Sequence, residues 1–306
     1  MKYFIRQIAV CCCLMGWMQA QDLPPELKSM LDVLKNDHDG QMSRMAEMML
    51  GKNGGNQLFY FPLKEAPDTP KTFGLSFEEC RIPTSDGETL HGWFLPVKKG
   101  LSVKGTVVFS HGNAGALGHH LGLAKWWPEQ GYQVLMYDYR GFGQSTGAPS
   151  REGLIRDVEA AFRFAQGRPD VTKTKIFSYA HSLGGAKSIV ALSRTKVPGL
   201  RGIITDGTFA SYVGMADFMA GNFGKKLVTD ELAPKDSVGK LSVPLLIVHG
   251  SDDEIVPISQ GEQLFAAAGK QKTFFRVAGG RHSDALARRN GEYRRKVLDW
   301  MAQYGE

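Results

Sequence analysis

The sequence has little cysteine. There are four in 306 residues, and three of them, Cys11, Cys12 and Cys13, stand together near the N-terminus. Cys80 is alone in the body of the chain, which excludes an internal disulfide framework there. No apolar run reaches the ~20 residues that a membrane-spanning helix needs. The phosphate-binding pattern G-x-x-x-x-G-K-[ST] is missing, and no internal repeat is visible. Charge of one sign is in small excess: 37 basic against 31 acidic residues leave +6. A scattered surplus of that size is a poor footprint for nucleic acid, and none is expected as a partner. With 42% hydrophobic residues, 36 glycines and 10% aromatics, the chain is no disordered segment, collagen or coiled coil.

The N-terminus carries a different pattern. Lys2 and Arg6 precede an apolar run from Ile8 to Met18, and Ala20-Gln21 follows as a cleavage point. This predicts a secretory signal peptide over residues 1–20 and a secreted or periplasmic location. Met18 is larger than a cleavage site prefers, so an uncleaved membrane anchor is the alternative, and membrane association is expected only through this segment. A lipidated cysteine is a weaker reading, because no small residue precedes the cysteines. Residues 21–57 read as a helical extension. Met42, Met45, Met48 and Met49 recur at helical spacing before Asn53-Gly54-Gly55-Asn56 breaks the pattern. A helix laid on the main domain is expected, with a Met-rich face for a lipid or partner as the other possibility. The main domain then covers 58–306.

Within it, Phe77 to Pro83 alternates, Ser85-Asp86-Gly87 turns, and Leu90, Trp93 and Leu95 follow, which is a β-hairpin signal. Cys80 falls in this segment as a half-buried small hydrophobe. Short apolar strands come next at Thr106–Ser110, Gln133–Tyr137, Lys175–Tyr179, Gly202–Thr205, Leu245–His249 and Thr273–Val277. Helical stretches lie between and after them, near 116–129, 151–166, 183–194, 258–268 and 284–304. Continuous apolar strands alternating with helices predict an α/β fold with a mostly parallel sheet covered on both faces, led by the antiparallel hairpin. Residues 208–240 interrupt the alternation. Phe209, Tyr212, Met215, Phe218, Met219 and Phe223 make this a short apolar cap, mostly packed on the body, with a few side chains left to line an acyl pocket.

Ala180-His181-Ser182-Leu183-Gly184-Gly185 follows a strand and opens a helix. A serine on such a turn is pushed clear of the backbone, and the helix N-terminus favours a developing anion. An ordinary helix-capping serine is the bland alternative. Two further strand ends carry chemistry: Asp252-Asp253 after the strand ending at His249, and His282 after the last strand. The chain order is serine, acid, histidine, which is the α/β-hydrolase order. Parallel strands bring such ends to one sheet edge.

Residues from about 72 to 304 resemble an α/β-hydrolase. The landmarks run in order: Thr84-Ser85-Asp86-Gly87 with Gly92-Trp93, His111-Gly112-Asn113-Ala114-Gly115, Tyr137-Asp138-Tyr139-Arg140-Gly141-Phe142-Gly143, the Ser182 turn, the Asp253 loop and His282. Ala180 stands where the usual G-x-S-x-G pattern has glycine. The chain is similar to the small-cap serine hydrolases described as serine aminopeptidase-like or lysophospholipase-like, whose members cleave varied esters, thioesters or amides. The resemblance implies Ser182 as nucleophile, His282 as base and Asp253 as the acid that orients it. The spacing of His249, Gly250, Asp253, Val256 and Pro257 favours Asp253, with Asp252 and Asp206 as rivals. The resemblance places the oxyanion donors at the backbone N–H groups of Leu183 and Asn113. It implies no cofactor and no metal. The expected substrate is a small ester, amide or lipid-like molecule, esters first; a peptidase and an idle scaffold serving as a binding module are the alternatives.

Other features are set aside. In Gly141-Phe142-Gly143-Gln144-Ser145-Thr146-Gly147, Thr146 holds the third glycine's place of a dinucleotide loop. His119 and His120 are adjacent, a poor spacing for joint metal ligands, and are expected on a polar helix face. His111, His181 and His249 need only be structural. Arg288, Arg289, Arg294, Arg295 and Lys296 read as a solvated face.

Overall fold

The computed structural model describes residues 59–305. The expected signal peptide (1–20) and helical extension (21–57) lie outside the described residues.

The apolar runs form the strands of one eight-stranded sheet. β1 (Phe61–Pro62) and β5 (Ala114–Gly115) make a small separate pair, and the main sheet uses β2 (Glu78–Pro83), β3 (Thr89–Leu95), β4 (Gly105–Ser110), β6 (Tyr132–Tyr137), β7 (Ile176–His181), β8 (Leu200–Asp206), β9 (Leu245–Gly250) and β10 (Lys272–Val277). The spatial order is β10-β9-β8-β7-β4-β6-β3-β2. From β6 to β10 all neighbours are parallel, while β3 runs antiparallel to both β6 and β2. This is the mixed sheet that the sequence implies.

Successive strand residues point to opposite faces, so each strand feeds two cores. Val108, Leu135, Ile203 and Ile247 enter the core on one face. There they meet α2 (Arg151–Gly167), α3 (Leu183–Arg194) and α5 (Ile258–Ala267), through Leu154, Ile189 and Leu264 among others. Val107, Phe109, Ile204, Leu246 and Val248 enter the other core, with Leu121 of α1 (Leu117–Ala124) and Val297 and Trp300 of α6 (Arg288–Tyr304). Two covered faces explain why these strands are apolar throughout rather than alternating. Cys80 is 2% exposed, so it is a core residue rather than a half-buried one.

Two helices depart from the sequence expectation. The one expected over 116–129 ends at Ala124. The chain leaves it before Pro128, which has no N–H to continue the ladder, and Trp127 turns inward to stack on Trp126. The one expected over 284–304 opens with a separate turn at Ala285–Ala287. Arg289, Asn290 and Gly291 then take positive φ, so the regular helix starts only beyond them. Glycine and asparagine tolerate that left-handed backbone best.

Two polar clusters join distant segments. Arg140 donates to both oxygens of Asp86, at 2.7 and 2.9 Å, and from Nε to Asp157 at 2.9 Å. The hairpin turn is thereby tied to α2. The cap holds α4 (Tyr212–Leu227), which breaks at Ala220-Gly221. Phe209, Tyr212, Met215 and Phe223 are buried, whereas Phe218 is 48% exposed. Both ends of the segment are pinned. Gln260 accepts from the amides of Ala210 and Ser211, and Arg151 donates to the carbonyls of Thr229 and Glu231. Buried Lys187 places Nζ 2.7 Å from the Tyr212 hydroxyl and 3.1 Å from that of Tyr60. Among the described residues no helix is long and apolar enough to cross a membrane.

Candidate active site

β7 ends at His181 and α3 begins at Leu183, so one residue makes the turn. That residue, Ser182, has φ 54° and ψ −117°, a backbone region that L side chains rarely occupy. Its neighbours make the strain sustainable. The Ser182 amide still donates to the Asp206 carbonyl at 2.8 Å, which carries the β7–β8 ladder into the turn. A Cβ on Gly184 would stand 2.2 Å from the Ser110 carbonyl oxygen, and one on Gly185 would stand 1.9 Å from Thr208 Oγ1. Bare glycines at both positions let the start of α3 sit directly on the ends of β4 and β8. The serine is thus held at the N-terminus of a 12-residue helix, where free N–H groups and the helix dipole favour negative charge.

β9 and β10 are parallel neighbours, and the loops after them meet. His282 donates from Nδ1 to Asp253 Oδ2 at 2.8 Å, with Oδ1 at 3.1 Å. Asp253 is buried and also accepts the amides of Ile255 and Val256 on Oδ1. His249 lies beneath it, with Nε2 3.4 Å from Oδ2 while donating to the Val256 carbonyl. Burial by itself would raise the Asp253 carboxyl; the adjacent His249 ring, the hydrogen bond from His282 and the Val256 amide outweigh it and hold the group below the usual carboxylate range. An ionised carboxylate against Nδ1 sets the His282 tautomer with Nε2 free to take a proton.

The rival acids sit elsewhere. Asp252 is exposed and accepts from the Ser251 hydroxyl. Asp206 is buried and accepts from the Tyr179 hydroxyl at 3.0 Å, and burial pushes it up to about 7. Of the three carboxylates, Asp253 is the one that the structure brings to His282.

Asn113 lies in the turn between β4 and β5, in a loop held by the Tyr139 hydroxyl on the His111 carbonyl and by His120 Nε2–H on the Ala114 carbonyl. Its side-chain Oδ1 is buried without a hydrogen-bond partner. Leu183 opens the helix that Gly184 seats against this same loop. His120, expected on a polar helix face, is half-buried and turned onto the 111–115 loop. It stacks on His111 at 4.8 Å, and burial drives it well below the ordinary histidine range.

Gly207 was not legible as a site residue. Its φ is 59°, and a Cβ there would stand 3.0 Å from His282 Nδ1 and 3.1 Å from Asp253 Oδ2. The one available signal was a glycine directly after a strand-ending aspartate. Among the described residues, no group of three or more His, Cys, Asp or Glu side chains is placed to hold a metal ion.

Comparison with known proteins agrees with this architecture. The family profile "Serine aminopeptidase, S33" matches residues 102–228 and 220–284. The uncharacterized protein YfhR of Escherichia coli (strain K12) is 34% identical over 250 residues, covering 79% of this chain and 86% of its own. The α/β-hydrolase domain-containing protein WAV2 of Arabidopsis thaliana is 30% identical over 272 residues, covering 81% and 87%. Among solved structures, an esterase of Pyrococcus furiosus superposes with a TM-score of 0.68 at 17% identity, covering 81% of this chain and 99% of that one. That likeness shows the α/β-hydrolase fold. The profile match and the full-domain relatives together show that the chain belongs to the serine aminopeptidase S33 family of α/β-hydrolases.

Proposed function

We propose that the protein is a serine hydrolase that cleaves small carboxylic esters through an acyl-enzyme. The observation that carries this reading is the strained Ser182 turn standing at the same sheet edge as the Asp253–His282 pair. A neutral hydroxyl is a weak nucleophile, so a base must take its proton. Ser182 Oγ attacks the ester carbonyl carbon as its proton passes to His282 Nε2. The N–H groups of Leu183 and Asn113 receive the oxyanion. The intermediate collapses, the C–O bond to the leaving group breaks, and the alcohol departs with the proton from His282. Water then repeats the sequence on the acyl-enzyme and releases the acid. Asp253 stabilises the imidazolium in both halves.

The esterase among the structural neighbours supports esters as first substrates. The family description supports amides, including peptides with a free N-terminus, as the second class. The apolar run at 8–18 supports export from the cytoplasm, and mass spectrometry of the mature N-terminus tests it: Gln21 first supports cleavage, Met1 opposes it. The function itself is tested by fluorophosphonate labelling beside p-nitrophenyl ester and aminoacyl-amide panels. Labelling of wild type with none of Ser182→Ala supports the reading. A folded wild type that neither labels nor hydrolyses any of the panel overturns it in favour of an idle scaffold.

A further inference from the structure

His181 precedes the nucleophile and is 3% exposed. Its Nε2 lies 2.9 Å from the backbone carbonyl oxygen of His282. A carbonyl can only accept, so Nε2 carries the proton and Nδ1 is the bare nitrogen. Nδ1 is buried without a hydrogen-bond partner, and it faces Gly112: a Cβ on that residue would stand 2.9 Å from it. One ring therefore touches the loop that carries His282 and the loop that carries Asn113, while standing at the end of the strand that leads into Ser182.

We propose that His181 is a positioning residue, a brace that fixes the His282 loop and the Asn113 loop to the Ser182 strand. The proposal rests on the serine-hydrolase reading and names what holds its parts in register. Three separate loops must agree within a fraction of an ångström for transfer between Ser182 and His282, and a 1 Å misplacement costs about 10²-fold in rate. Backbone hydrogen bonds tie the Ser182 turn to Asp206 and the Asp252 amide to the Gly280 carbonyl, and the His181 ring adds a direct link from the Ser182 turn to the His282 carbonyl. The His181 and His282 rings are 4.7 Å apart, and His120 stands on the other side at 6.4 Å. The charged and titratable groups facing His181 are thus His282, His120, His111 and Asp253. Burial first, and then His282, push His181 down to about 3. It stays neutral at any pH where His282 works, and so adds no positive charge beside the imidazolium that forms there.

Three variants separate the brace from simple packing. The amide nitrogen of Gln reaches the place of Nε2, that of Asn reaches the place of Nδ1, and Phe keeps a ring with no donor. Fluorophosphonate labelling rate, kcat, KM and melting temperature are measured for each. His181→Gln is expected within about threefold of wild type. His181→Phe and His181→Asn are expected to lose about 10²-fold in kcat and labelling rate with KM nearly unchanged. Wild-type labelling of His181→Phe, or equal losses in the Gln and Phe variants, overturns the brace while leaving the serine-hydrolase reading standing. Absence of labelling in wild type itself overturns both. Because a variant could fail to fold, ¹⁵N NMR of wild-type His181 is the second measurement. A proton on Nε2 in a hydrogen bond supports the brace, and a proton on Nδ1 overturns it.

Discussion

The Ser182 amide donates to the Asp206 carbonyl at 2.8 Å, although Ser182 itself has left-handed φ of 54°. The turn is thus strained at the residue while the ladder beside it is kept. Two inactive variants should separate strain from chemistry. Ser182→Ala keeps a Cβ in the unfavourable region, whereas Ser182→Gly removes it. Both are expected to abolish turnover, and Ser182→Gly is expected to be the more stable by about 1 kcal/mol, the strain relieved less the extra chain entropy of glycine. Paired urea titrations check this, and equal stabilities would show that the turn stores no strain.

Asp253 is the carboxylate hydrogen-bonded to His282. Asp253→Asn is expected to lower turnover by about 10⁴-fold, since the amide no longer fixes the His282 tautomer. Asp206→Asn keeps an acceptor for the Tyr179 hydroxyl and should lose far less. Steady-state kinetics on one ester decide it. The reverse ranking would assign the acid's role to Asp206.

The two carboxylates also pull stability in opposite directions with pH. Asp206 titrates near 4 when unfolded and is pushed up to about 7 by burial. Between those values the folded chain holds a proton that the unfolded chain has lost, so its contribution falls as pH rises. Asp253 is held ionised below the ordinary range, so it contributes stability above about pH 4 that is lost as pH falls. The stability of Asp206→Asn relative to wild type should therefore grow from about pH 4 to about pH 7, by at most ~1.4 kcal/mol per pH unit. Denaturant unfolding across that window measures it, and a constant difference would contradict the shift.

Gly184 sets the seat of α3. Its absent Cβ would stand 2.2 Å from Ser110 O and 2.6 Å from His111 O, both backbone atoms that cannot swing aside. Gly184→Ala is expected to destabilise by about 1–3 kcal/mol and to lower activity, because Leu183 and the Asn113 loop are forced apart. Gly122, with nothing within 4 Å of its own Cβ position, is the control, and Gly122→Ala should be neutral or mildly stabilising. Melting curves of the two variants test the contrast.

Much of this protein is written locally. Val107, Val108 and Phe109 form a run short enough for a strand and apolar enough to be covered on both faces, and their alternate burial in two cores follows from backbone period alone. The small residues around Ser182 announce a tight turn because only a small set of side chains permits one. The order of Ser182, Asp253 and His282 marks a candidate site because connections in a parallel sheet return every strand end to one edge. Other features depend on partners far along the chain. The hydrogen bond between Asp253 and His282 spans 29 residues, the contact of His181 with the His282 carbonyl spans 101, and the seat of Lys187 on Tyr60 spans 127. The spacing from His249 to Pro257 singles out Asp253 but not the hydrogen bond it makes, and no spacing rule encodes that His120 stacks on His111 or that Gly207 leaves room for the pair. Those choices follow from how loops of differing length pack against one another once the sheet has formed, so composition, period and turn chemistry determined the frame and long-range packing decided which side chains meet within it.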